Sequence, residues 1–140
     1  MNDSGRSVAA MTAYYKTPLE RVLVAYDELD LAPGRVQLKF DGGHGGHNGM
    51  RDVVGCIGKT FWRLRLGIGH PGFGNKTQVS NYVLQNPSSE DQDTILDAAL
   101  AAVDTLPIFL DDGAERAKTR LHSRGVEARP YKKPDRNEPE

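Results

Sequence analysis

Gly42-Gly43-His44-Gly45-Gly46-His47-Asn48-Gly49 packs five glycines, two imidazoles and one carboxamide into eight positions. Before it, Val36-Gln37-Leu38-Lys39-Phe40 alternates apolar and polar side chains, the period of a strand. After it, Met50, Val53, Val54 and Ile57 recur at helical spacing. The stretch reads as strand, glycine-rich loop, helix. Glycine admits left-handed backbone angles and lets a ligand approach the main chain closely. No Gly-Lys-Ser/Thr follows, so this is not the phosphate loop of a nucleotide hydrolase, and the spacing is not that of a dinucleotide fingerprint. Two readings stay open. The loop is only a turn whose histidines act as caps, or it presents His47 and Asn48 to a ligand.

With 140 residues the chain is long enough for one domain with a core. Its 18 basic and 19 acidic residues nearly cancel, so global charge demands neither nucleic acid nor membrane. Residues 1–76 hold ten Lys/Arg against seven Asp/Glu, and residues 77–140 hold eight against twelve. The half with the glycine loop is thus mildly positive and allows a local anion-binding face. The single cysteine, Cys56, excludes an internal disulfide and reads as a small buried residue on the apolar side of a helix. A reducing cytosol fits, and no signal peptide, transmembrane run or lipidation signal is evident.

Val8, Ala9, Ala10, Met11, Tyr14 and Tyr15 predict a helix from about Arg6 to Tyr15, capped by Ser4 or Asn2 and closed by Pro18. The apolar run Arg21–Tyr26 predicts a strand buried on both faces, ending in Asp27-Glu28-Leu29-Asp30. Carboxylates at the carboxyl end of a central strand lie where open α/β sheets place ligand groups. Pro33-Gly34 is a turn, and Arg35–Phe40 a strand. After the Gly49–Ile57 helix, Phe61–Gly69 reads as a half-exposed strand, with Leu64, Leu66 and Ile68 on one side and a basic face of Arg63 and Arg65 on the other. His70-Pro71-Gly72 ends it. Residues 77–85 fit a short helix or a strand, with helix preferred. Ser88 or Ser89 caps the longest helix, whose apolar stripe is Ile95, Leu96, Ala99, Leu100, Val103 and Leu106, and which Pro107 bends or interrupts. Ala114 to His122 is a further helical piece. From about Ala128 the composition is that of a disordered tail. Three or four strands and at least four helices in this order fit α/β layers, with a parallel or mixed sheet covered by helices.

The groups that carry chemistry are Asn2, Asp27, Lys39, His44, His47, Asn48, Arg63, Arg65 and His70. His44 and His47 lie three apart, but a glycine loop is a poor scaffold for a metal and no third ligand stands out. Asp27 beside an imidazole would hold the ring tautomer and steady the imidazolium as it takes a proton from water. Asn2 and Asn48 each carry an acceptor and a donor pair, suited to fixing a carbonyl and a water together. Lys39, Arg63 and Arg65 suit phosphates, or are ordinary solvated side chains.

Four segments then point the same way: Met1-Asn2-x-Ser4-Gly5, Val24-Ala25-x-Asp27-Glu28-Leu29-Asp30-Leu31, Gly42–Gly49, and Arg63-Leu64-Arg65-x-Gly67-Ile68-Gly69-His70-Pro71-Gly72. In order and near-spacing they resemble the bacterial peptidyl-tRNA hydrolase family, across most of residues 1–125. The resemblance implies a peptidyl-tRNA hydrolase-like α/β domain over 1–125, a mixed twisted sheet flanked by helices, with 126–140 as tail. It implies a monomeric cytosolic enzyme that cleaves the ester between peptide and tRNA, with peptidyl-tRNA as partner, no membrane and neither metal nor organic cofactor. By position, Asn2 resembles the asparagine that places substrate and water, and Asp27 the partner of the general-base histidine. His47 and Asn48 resemble the pair near the peptide and the water, while Lys39 and Arg65, and less closely Arg63, resemble residues that grip tRNA.

The family's general-base histidine lies in an amino-terminal segment that has no counterpart here, and none of His44, His47, His70 and His122 matches it. The expectation is a truncated gene or a late start, an amino-terminally truncated domain with little or no hydrolase activity. The competing readings are a non-catalytic RNA-binding relative and a peptidase using His47 and Asp27. The latter lacks a Ser or Cys nucleophile elbow.

Overall fold

The structure is a computed structural model that describes residues 3–69, 83, 84 and 86–123. Asn2, His70 and the tail 126–140 lie outside the described residues, as does most of 77–85, of which Val83 and Leu84 are helical. Strands β1 (Leu23–Glu28), β2 (Val36–Phe40) and β3 (Trp62–Gly67) form a sheet of order β1-β3-β2. Trp62 N–H donates to Val22 O and Ile68 N–H to Glu28 O, a constant offset, so β3 runs parallel to β1. Asp41 N–H donates to Phe61 O and Gly67 N–H to Arg35 O, a constant sum, so β3 runs antiparallel to β2. The sheet is therefore mixed, as the sequence predicts. The helices are α1 (Ser4–Tyr14), α2 (Asn48–Ile57), α3 (Ser89–Asp111) and α4 (Ala114–His122), with a 3₁₀ turn at Leu19–Arg21.

Two compact units divide the chain, and the division falls within each strand. The first comprises the described parts of Met1–Ala25 and Leu38–Leu64. Leu38, Met50, Val53, Phe61, Trp62 and Leu64 are its buried apolar side chains, and Phe40 tilts against Trp62 with ring centroids 5.2 Å apart. Helix α1 packs on α2. Asp3, not Ser4, stands at the N-cap of α1, and its side chain makes no cap hydrogen bond. The reason is tertiary: Gly5 N–H, in the first turn, donates to Asp52 Oδ2 of α2 at 2.7 Å. An orphan donor satisfied from another helix needs no local cap. Cys56 is exposed rather than buried, because α2 turns Gly49, Met50 and Val53 inward instead.

The second unit comprises Tyr26–Gln37 and the described part of Arg65–Glu140. Strand β1 is not buried on both faces throughout: Tyr26 and Glu28 are buried, Ala25 is exposed and Asp27 is half-buried. Ser88 Oγ accepts from Asp91 N–H at 3.2 Å and caps α3. Helix α3 continues through Pro107 to Asp111. Its rotation departs from what the bulky stripe predicts. Ala98, Ala102 and Thr105 are buried and Ile95 and Ala99 half-buried, whereas Leu96, Leu100, Val103, Leu106 and Leu110 are exposed. Thr94 Cγ2 occupies the space a Cβ at Gly34 would need, a close approach that glycine permits.

In α4, partial desolvation and then the cations Lys118 and Arg35 hold the His122 imidazole below the ordinary histidine value of 6.5. The unfolded chain therefore binds a proton that the folded chain resists between the folded value and 6.5. Stability is expected to fall as pH drops through that window and to level off below it. Thermal midpoints from pH 7.5 to 4.5 should show a step for the native chain that shrinks in His122→Gln; an unchanged step would assign it elsewhere.

Candidate active site

The glycine loop is built by hydrogen bonds rather than packing. Asp41, Gly42, Gly45 and Gly46 all take positive φ, at 66°, 117°, 58° and 83°. A side chain at Gly45 or Gly46 would be strained whatever space surrounds it. His44 Nδ1 accepts from Gly46 N–H at 3.0 Å, and His44 O accepts from His47 N–H at 3.0 Å. His47 is the N-cap of α2, its Nδ1 accepting from Met50 N–H at 3.1 Å. Of the two readings of the loop, His47 fulfils the capping one, while His44 closes a turn inside the loop.

Capping has a chemical consequence. A ring that accepts at Nδ1 is unprotonated there, so the neutral His47 imidazole carries its hydrogen on Nε2. In that tautomer Nε2 donates a hydrogen bond and does not take a proton. Asn48, the next residue, is exposed in the first turn of α2. It borders an open cavity of about 580 Å³ lined also by Arg51, Asp52, Gly55 and Cys56. Lys39 is exposed at the end of β2, with its Nζ 3.4 Å from where a Cβ on Gly42 would lie.

Arg63 departs most from the sequence reading. It is 1 % exposed, so β3 does not present the expected half-exposed basic face. Its Nη1 donates to Gly43 O at 2.5 Å and its Nη2 to Lys59 O at 2.9 Å. The guanidinium carbon lies 4.5 Å from the centroid of the Phe61 ring. Two carbonyls at its Nη groups and an aromatic ring on one face stand where water would.

In the second unit, Asp27 is half-buried in β1. Arg65 pairs with the buried Glu28 carboxylate at 3.3 Å and also donates to Gln37 Oε1. Glu28 further accepts from Asp30 N–H at 3.1 Å, tying the turn after β1 to the pair. The sequence reading placed Glu28 among the carboxylates at the end of this strand but singled out its neighbour Asp27. The structure thus gathers Lys39, His47, Asn48 and Arg63 in the first unit and Asp27 and Arg65 in the second. Among the described residues no group of three or more His, Cys, Asp or Glu is placed to hold a metal ion, and no helix is long and apolar enough to cross a membrane.

A mixed α/β sheet whose second strand feeds a glycine loop and an imidazole-capped helix defines the class. A family model described as peptidyl-tRNA hydrolase matches residues 1–129. The peptidyl-tRNA hydrolase of Saccharophagus degradans is 52 % identical over 126 residues, covering 89 % of this chain and 63 % of the relative. That of Psychrobacter arcticus is 46 % identical over 122 residues, covering 87 % and 62 %. The crystal structure of peptidyl-tRNA hydrolase from Acinetobacter baumannii superposes with a TM-score of 0.82 at 41 % identity, covering 88 % of this chain and 62 % of that one. The chain belongs to the peptidyl-tRNA hydrolase family. It spans a little under two thirds of the length of these relatives.

Proposed function

We propose that the chain serves the family's reaction, hydrolysis of the ester between a peptide and the terminal ribose of tRNA. The observation that carries this reading is the His47-Asn48 corner. A cap fixes the imidazole with Nε2–H as a donor, and an exposed carboxamide follows it beside an open cavity. In this reading His47 donates to a peptide carbonyl, while Asn48 and Asn2 hold carbonyl and water through their paired donor and acceptor groups. Asp27 stands where the family places the partner of a general-base imidazole, a base that neither described loop histidine is set to supply. Lys39 meets tRNA phosphate as an exposed cation. Arg65 contributes less, since it shares its charge with Glu28. The same reading makes the protein a monomeric cytosolic factor of translation that works without metal or organic cofactor.

One observation favours a second reading, binding without turnover. Both described loop histidines accept backbone N–H at Nδ1 and neither is set as a base. The 140-residue chain is therefore expected to bind tRNA carrying an amide-linked, hydrolysis-resistant peptide, with affinity falling as salt rises. With the ester-linked form it is expected to release little or no peptide. Asn48→Ala should weaken the amide-linked ligand by about tenfold, the worth of one good polar contact. Turnover by the purified chain, abolished by Asp27→Ala, would overturn the binding-only reading and establish catalysis. Failure to bind either ligand would remove the RNA assignment altogether.

A further inference from the structure

We propose that Arg63 is a positioning residue: its guanidinium holds the glycine loop in the shape that presents His47 and Asn48, and it is not a phosphate contact. The proposal rests on the reading of those two residues as the substrate-facing pair. Among the described residues, nothing lies within 4 Å of where a Cβ would stand on Gly43, Gly45 or Gly46. The bonds from Gly46 to His44, from His47 to His44 and from Met50 to His47 are local and shape the segment from His44 onward. Asp41 N–H, just before the loop, donates to Phe61 O at the start of β3. Arg63 carries that attachment into the loop itself through Gly43 O, twenty residues away in sequence.

The choice of side chain follows. The planar fork spans two carbonyls, Gly43 and Lys59, which belong to segments on either side of α2. A lysine is a point charge and serves one of them well. The Phe61 ring covers one face of the guanidinium, and the Gly43 and Lys59 carbonyls take the in-plane Nη donors that a phosphate would use. At 1 % exposure, the cation reaches a phosphate only by leaving both carbonyls.

Three measurements on the whole chain test this. In the native protein, the Arg63 Nη hydrogens should exchange slowly with solvent, whereas those of the exposed Arg51 exchange fast. Equal exchange would refute the clamp without any variant. In Arg63→Met, amide exchange at Gly45, Gly46 and His47 should rise by about tenfold or more while Val53 and Val54 inside α2 stay protected, and Arg63→Lys should restore part of the difference. Loosening of loop and helix together, or of neither, would sink the positioning role. Finally, Arg63→Met should narrow by about tenfold the preference for amide-linked peptidyl-tRNA over deacylated tRNA, leaving the affinity for deacylated tRNA and its salt dependence unchanged. Equal weakening of both ligands with a shallower salt slope would make Arg63 a phosphate contact instead. If the native chain binds neither RNA, the family reading fails, and the exchange measurements still decide what Arg63 does.

Discussion

Valine in place of Gly5 is expected to lower the unfolding free energy by about 3 kcal/mol, the upper range for overpacking. A Cβ at this position would collide with the Asp52 carbonyl oxygen, lie 2.7 Å from the Asp52 carbonyl carbon and stand 2.8 Å from Cys56 Sγ. The first of these is backbone and cannot rotate aside, so α1 and α2 must separate. Separation also stretches the bond from Gly5 N–H to Asp52 Oδ2, leaving the first turn of α1 without its substitute cap. Two terms compete, because glycine inside a helix costs about 1 kcal/mol relative to alanine. That gain is smaller than the collision, so even Gly5→Ala should destabilise. Gly55 is the control. It lies in α2 with open space around its Cβ direction, and Gly55→Ala should stabilise by about 0.5–1 kcal/mol. Urea unfolding of the three variants checks the set, and a stable Gly5→Val protein would mean the two helices do not meet as described.

Removing the Glu28 carboxylate as Glu28→Ala is expected to cost about 3–5 kcal/mol, the usual consequence of orphaning a buried charge. Glu28 is 5 % exposed, and the Arg65 side chain only 18 %, so water compensates little. Glu28 also accepts from Asp30 N–H, so the turn after β1 loosens with it. The pair itself is worth much less than this penalty. A double replacement, Glu28→Leu with Arg65→Met, should recover most of the loss, since a buried ion pair and an apolar pair of similar volume are nearly equivalent. A double variant as unstable as Glu28→Ala would show that the pair contributes more than its own neutralisation. These variants also bear on function. If Arg65 acts chiefly in this pair, Arg65→Met changes the unfolding midpoint more than it changes the salt dependence of tRNA binding.

Much was legible in the sequence because it is local. Alternation at Val36–Phe40, the run of glycines and the spacing of Met50 and Val53 each depend on neighbours a few residues apart. The structure has the strand at Val36–Phe40 and the helix at Asn48–Ile57. Ser88 was readable as a cap for the same reason: its acceptor and its donor sit three residues apart. The motif segments likewise pointed to the family that the comparisons show.

What the sequence alone settled is the element order, the mixed α/β class and the family. Those follow from short-range periodicity and from motifs carried in one piece of chain. Only the tertiary structure decided which face each element buries. Helix α3 turns Ala98 and Ala102 inward and Leu96 and Leu100 outward, and its Thr94 lies against Gly34, a contact between residues sixty apart. Arg63 is enclosed, rather than solvated, because Gly43, Lys59 and Phe61 supply what water would. A guanidinium looks the same in a sequence whether water or carbonyls surround it, and the difference lies wholly in groups brought to it from elsewhere in the chain.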